Sequence, residues 1–300
     1  MEVFDELPFW MNNAGVINRT RQGIYCYDRA GGETAALTRE EFDVELVSVE
    51  GDLILYTGCL HLGRRPDASE VRLYDLAAGT DRQLLAPGKY DFSYAGLWNG
   101  AAIMAAVPDS RLSARTDYDF YRIGLEDGEV SLFARYGNTC CVGGGVSSDA
   151  QLGSFSAVVP DGDSLCFMSN LAGDACVCRL DNDGHIEERL TSGGSCDSCD
   201  IRNGRLVVCG MYHDRICELY ENGVRLTHFN DAFFETHTVS SPEVHRFVDD
   251  DGYEIHGWCI KPADYEPGKK YPAILQIHGG PRIIFGNVFY HEMQVMAASG

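Results

Sequence analysis

The sequence predicts a mainly β protein: a partial β-propeller of about five blades, followed by the opening strands and first helix of an α/β-hydrolase domain. Three observations predict it. From about residue 15 to 230, short strand-like runs alternate with Gly, Asp and Asn turns, and helical periodicity is almost absent. One unit recurs along that stretch at a blade-like spacing. Beyond about residue 235 the pattern changes to a hairpin, an unbroken apolar run, a glycine loop and a helix-forming segment.

The recurring unit is an aromatic or β-branched pair, an Asp or Gly turn, then a strand containing leucine. It reads as IYCYDRAGGETAALT, VRLYDLAAGTDRQLL, FYRIGLEDGEVSLF, CVCRLDNDGHIEERLT and CELYENGVRLT. Anchored on Tyr25, Tyr74, Tyr121, Cys178 and Tyr220, it recurs at spacings of 49, 47, 57 and 42 residues, near the roughly 40–50 of a propeller blade. Each unit is expected to be the outer hairpin of a four-stranded blade. The apolar runs between them, DLILYTG, AAIMAAV, DSLCFMSN and GRLVVCG, suit inner strands buried between blades. A β-sandwich or an irregular sheet stack is the competing architecture, and a period sustained over five units favours the propeller.

Residues 1–235 are therefore assigned to an incomplete propeller, and 236–300 to the truncated amino-terminal part of a hydrolase domain. SPEVHRFVDDDGYEIHGWCIKP alternates polar and apolar residues about an Asp-Gly turn, as an antiparallel hairpin does. ADYEPGKK is a polar loop. YPAILQI then reads as a strand buried on both faces of a mainly parallel sheet. From about Val288 to Ala298, Met293, Val295, Met296 and Ala297 sit among good helix formers.

Bulk composition excludes several functions. The net charge of -21, from 45 acidic and 24 basic residues, argues against a nucleic-acid or anionic-membrane partner, which needs clustered Lys and Arg. The first residues carry no basic n-region or long apolar run, so a cytoplasmic location is expected. Twelve cysteines in a chain without secretory signals are expected to be reduced thiols. Cys176, Cys178, Cys196 and Cys199 would suit a zinc site if the pairs met in space, but alternate strand positions favour them as small buried hydrophobes. HEMQV lacks the second histidine of a zincin, Val295 standing in its place. DNDG (Asp181–Gly184) and DDDG (Asp249–Gly252) read as turns rather than a calcium loop or an acid–base pair, and VGGGVSSD has Ser148 where a dinucleotide fingerprint wants Gly or Ala. No cofactor and no metal are expected.

The remaining chemical signal is QIHGGPR. In α/β-hydrolases one oxyanion-hole N–H comes from the loop between the third strand and first helix, the other from the residue after the nucleophile. Gly279 and Gly280 suit such a loop because a backbone without Cβ admits a substrate oxygen, and Pro281 stiffens the exit. A plain strand-to-helix turn would also need glycine here.

YPAILQIHGGPR and FGNVFYHEMQVMAASG resemble the opening of the peptidase domain in the prolyl oligopeptidase family of serine peptidases, in its acylaminoacyl and dipeptidyl peptidase-like branch. DELPFWMNNAGVINRTRQGIYCYD resembles a stretch within the propeller of these enzymes. The resemblance implies a seven-bladed propeller that gates access to an α/β-hydrolase cleaving short peptides or acyl-peptides with a Ser-Asp-His triad. None of the triad is present: no Gly-x-Ser-x-Gly elbow follows the glycine loop, and the nearest strings, GGSCD (Gly193–Asp197) and GVSSD (Gly145–Asp149), lack the final glycine. The chain is thus expected to be an inactive fragment lacking roughly two blades and most of the hydrolase. Arg282 is a candidate to hold a substrate carbonyl, with a surface ion pair as the alternative. A truncated sheet would expose Ala273–Ile277 and invite self-association. A second class of function, a propeller used as a non-catalytic protein-interaction platform, shares the same fold.

Overall fold

The computed structural model describes residues 3–12, 14–108, 118–138, 145–152, 158–188, 190–191, 193–279 and 284–299. They form two compact units, residues 1–137 and 138–300.

The first unit opens with two short ribbons, β1 (Trp10–Met11) paired with β2 (Gly15–Val16), and β3 (Tyr25–Tyr27) with β4 (Thr34–Ala36). Two antiparallel four-stranded sheets follow. In the first, β5 (Phe42–Glu50), β6 (Leu53–Leu60), β7 (Glu70–Asp75) and β8 (Thr80–Leu85) lie in sequence order. In the second, β9 (Tyr90–Trp98), β10 (Ala101–Pro108), β11 (Tyr118–Ile123) and β12 (Val130–Asn138) do the same. This meander is the strand order of a propeller blade.

The apolar runs explain which strand goes where. β6 and β10 each hold six successive buried residues, so both faces are covered, whereas β7 and β11 largely alternate. Leu55, Val71, Leu73 and Leu85 of one sheet pack with Ala95, Leu97, Met104 and Ile123 of the next in a single core. Full burial of each large apolar side chain contributes about 1.5–3 kcal/mol, so the packing between the sheets is a large stabilising term.

The second unit repeats the plan. β13 (Val158–Asp161), β14 (Ser164–Leu171), β15 (Asp174–Asp181) and β16 (Ile186–Glu187) form one meander, and β17 (Gly194–Arg202), β18 (Arg205–Tyr212), β19 (Glu218–Glu221) and β20 (Val224–Arg225) another. A parallel bridge between Ala175 and Ser195 joins them into one eight-stranded sheet. Cys166, Met168 and Val177 pack against Cys196, Cys199, Ile201, Val208, Tyr212 and Tyr220. The five predicted outer hairpins are β3–β4, β7–β8, β11–β12, β15–β16 and β19–β20, and the four predicted inner runs are β6, β10, β14 and β18.

After α1 (Asp231–Thr236), the predicted hairpin is β21 (Glu243–Val248) with β22 (Glu254–Cys259), and α2 (His291–Ala298) supplies the predicted helix. The expected buried strand in YPAILQI does not form. Residues 271–279 carry no strand pairing, and Ile274, Leu275 and Ile277 are 71%, 85% and 81% exposed. A strand buried on both faces needs strands beside it and helices over it, and among the described residues none pairs with this run.

Candidate functional site

Gly279 ends the exposed run. A Cβ built on it would meet nothing within 4 Å, so its glycine is not demanded by crowding. The His278 ring stands edge-on to Phe285 at 5.3 Å, and its Nδ1 lies 2.7 Å from the Gly279 carbonyl. Gly280 and Arg282, the other two predicted site residues, lie outside the described residues.

The chain beyond them is firmly held. Ile284 makes a parallel bridge to Val146, and the Ser147 N–H donates to the Ile284 carbonyl at 2.8 Å. The Ser148 hydroxyl donates to the Phe289 carbonyl at 2.6 Å. Asp149 accepts from the first two amides of α2, His291 N–H at 2.7 Å and Glu292 N–H at 2.8 Å. Tyr290, at the N-cap, makes no side-chain cap hydrogen bond. Val288 and Phe289 are buried, Val288 in a cluster with Val146, Ala175, Met211 and Cys217. Gln294 closes the attachment, accepting from Ser240 N–H at 2.9 Å and donating to its carbonyl at 2.8 Å.

Behind loop Gly145–Asp149 lies a buried polar cluster that sequence reasoning missed. The strings GVSSD and GGSCD, unsuitable as nucleophile elbows, meet in space: Val146 N–H donates to Ser195 Oγ at 3.1 Å, and Ser195 donates to Asp197 at 2.9 Å. Asp197 occupies a β-bulge between Cys196 and Ser198, which turns its carboxylate inward. Gln151 (3.3 Å), Cys217 (3.0 Å) and the Leu152 backbone amide also donate to it. Burial pushes the Asp197 carboxyl above the usual range, with these hydrogen bonds opposing the rise. The Cys217 thiol is raised by its contact with Cys209 and by burial. Ser195 and Asp197 are both closed to solvent, so the pair fixes the loop rather than attacking a substrate. The only sequence signal was two serine–aspartate strings with no evident partner.

A second buried carboxylate organises the exit from the last meander. Glu218 accepts from Thr227 Oγ1, from the Phe229 and Asn230 amides at 3.2 and 2.9 Å, and from Asn230 Nδ2 at 3.0 Å. Burial alone would raise its pKa, but Thr227 and these amides hold it below the usual glutamate value. Asp181, Asp183 and His185 are the only group of three possible metal ligands among the described residues. Their geometry is that of a hairpin turn: Asp181 Oδ1 accepts the Asp183 and His185 amides at 2.9 and 2.8 Å.

Meanders of this kind, followed by a hairpin and a docked helix, define a chain of the propeller class. Comparison with known proteins gives that class its relatives. Over 92 residues, 29% of this chain and 14% of the relative, the sequence is 42% identical to the peptidase YuxL of Bacillus subtilis. Over 64 residues, 20% of this chain and 7% of the relative, it is 38% identical to human dipeptidyl peptidase 8. The whole chain superposes on 45% of the Pyrococcus horikoshii acylaminoacyl peptidase with a TM-score of 0.75 at 22% identity. The chain therefore spans less than half the length of each of these relatives. No protein-family model matches it. The expected relatedness to peptidases is borne out, and the fold is that of an acylaminoacyl peptidase's propeller-like region.

Proposed function

We propose that this chain is part of a cytoplasmic serine peptidase hydrolysing short peptides or acyl-peptides, with residues 1–235 in the propeller and 236–300 opening the hydrolase domain. The observation that carries this reading is the 42% identity over 92 residues to a peptidase, in a chain that superposes along its whole length on an acylaminoacyl peptidase. Described helices also include none long and apolar enough to cross a membrane.

In this reading the loop of Gly279 and Gly280 supplies one of the two backbone N–H donors to the oxyanion formed when a serine attacks the scissile carbonyl. One such donor, preorganised, lowers the barrier by about 3 kcal/mol. The second donor, the nucleophile and its base lie beyond residue 300, so the 300-residue chain has no covalent catalysis of its own. Arg282 is assigned to hold a substrate carbonyl, and the propeller to exclude large substrates. No metal or cofactor is required. The exposed Ile274, Leu275 and Ile277 would be covered by further strands, and in the isolated chain they favour self-association.

The test is to express the protein encoded by the whole reading frame beside the 300-residue chain and assay both on chromogenic acyl-peptides and dipeptides. Turnover by the longer protein alone supports the reading. Turnover by neither, or by the 300-residue chain, contradicts it.

A further inference from the structure

Cys209 lies on β18 opposite Leu219 of β19, and Cys217, two residues before Leu219, is its diagonal neighbour on the same sheet face. Both side chains pack in the cluster with Val146, Ala175, Met211 and Val288, where the two thiols meet. Cys217 is buried, whereas Cys209 is half-buried. We propose that the two cysteines form an oxidation site, independent of the peptidase reading: a small peroxide converts Cys209 to a sulfenic acid, and Cys217 resolves it to a disulfide that loosens the loop Gly145–Gln151.

The half-open thiol is the one that peroxide reaches, and the thiolate is the reactive form. Contact with Cys217 draws the Cys209 thiol below its ordinary value, with burial and the Asp197 and Glu218 carboxylates opposing. The same contact, with burial, holds the proton on Cys217. In the first step the Cys209 sulfur attacks one oxygen of hydrogen peroxide: an S–O bond forms, the O–O bond breaks, and hydroxide leaves with the Cys209 proton as water. In the second, the Cys217 sulfur attacks the Cys209 sulfur, the S–O bond breaks, and the displaced hydroxide takes the Cys217 proton as water. The two sulfurs together lose the two electrons that the peroxide gains. Cys217 stands one residue before β19, in a bend outside the strand pairing, so it can cross to Cys209 while β18 stays in place.

The effect on the loop follows from what Cys217 gives up. In the reduced protein its Sγ lies 3.0 Å from Asp197 Oδ2 and 3.8 Å from the Ala150 carbonyl. The disulfide removes that proton and leaves the buried Asp197 carboxylate short of a donor. Asp197 is the partner of Ser195, which takes the Val146 N–H, and Val146 is bridged to Ile284.

The test treats the folded 300-residue chain with hydrogen peroxide, blocks the remaining thiols and maps tryptic peptides without reduction. Cleavage after Arg205, Arg215 and Arg225 puts Cys209 and Cys217 on separate peptides. The expected product is peptide 206–215 linked to peptide 216–225, in protein of monomer mobility, and lost on adding dithiothreitol. Cys217→Ser should stop at a sulfenic acid on Cys209, trapped by a 1,3-dione, and Cys209→Ser should give neither product. In oxidised wild type, hydrogen exchange of the Val146 amide should quicken about fivefold. No linked peptide at a dose that oxidises the exposed Cys26 and Cys259, or Cys209 linked instead to another cysteine, overturns the site. The expected link with unchanged Val146 exchange overturns its effect on the loop.

Discussion

Gly286 presses against the carbonyl of Gly173: a Cβ on Gly286 would lie 2.0 Å from that oxygen and 2.8 Å from Val146 Cγ1. On its other side Gly173, at φ +91°, faces Trp258, whose Cζ2 would sit 2.6 Å from a Cβ there. Two glycines therefore let the segment before α2 approach the β14–β15 turn at backbone distance and let the Trp258 ring of β22 lie against that turn. Gly286→Ala is expected to destabilise the chain by about 1–3 kcal/mol through overpacking, read as a lower urea midpoint. Gly173→Ala should cost at least as much, since it adds the left-handed backbone penalty. A G286A variant unfolding with the parent would show that this contact does not exist in solution.

Glu218 makes stability depend on acid. Its folded pKa lies below the unfolded value, so its contribution is complete above the ordinary glutamate range and is lost as pH falls below about 4.3. Urea midpoints between pH 3 and 7 should drop at the acid end in wild type. Glu218→Gln should lower the midpoint at pH 7 and flatten the acid limb. An acid limb identical in both proteins would refute the assignment.

Asp197 acts with the opposite sign. Burial raises its folded pKa, so the folded state holds the proton more tightly, and stability declines as pH rises from the ordinary aspartate range through the raised value. Asp197→Asn removes that decline. The measurement is the difference in midpoint between the two proteins across the same pH series, expected to grow in favour of the variant as pH rises; a constant difference would contradict it.

Thiol reactivity follows burial. Among the described cysteines, all free, only Cys26 and Cys259 are exposed; Cys209 is half-buried and the others are buried. With Cys140 and Cys141, which lie outside the described residues, replaced by serine, a bulky disulfide reagent should titrate two thiols rapidly in native protein. Rapid reaction at Cys196 or Cys199 would mean that the core between the last two meanders is open.

Much of the fold was legible because it is local. The repeat anchors Tyr25, Tyr74, Tyr121, Cys178 and Tyr220 all fall on the first strand of an outer hairpin. DNDGH and DDDGY form the same turn, the first Asp accepting amides two and four residues on. YPAILQI shows the limit of local reading: its hydrophobicity states what the run requires, not whether this chain supplies it. The bonds from Asp149 to α2 and from Ser195 to Val146 span 142 and 49 residues, and no periodicity encodes contacts at such separations. Of the predicted site, Gly279 is placed at the end of an exposed run, while the loop that anchors the following segment came only from the structure.

The most direct measurement is covalent labelling of the whole-frame protein with a fluorophosphonate, followed by mapping of the modified residue by mass spectrometry. The expected result is a single modified serine beyond residue 300, within a Gly-x-Ser-x-Gly sequence, and no label on the 300-residue chain. Absence of label on the longer protein, or label on a serine within residues 1–300, would contradict a peptidase whose nucleophile lies outside this part of the chain.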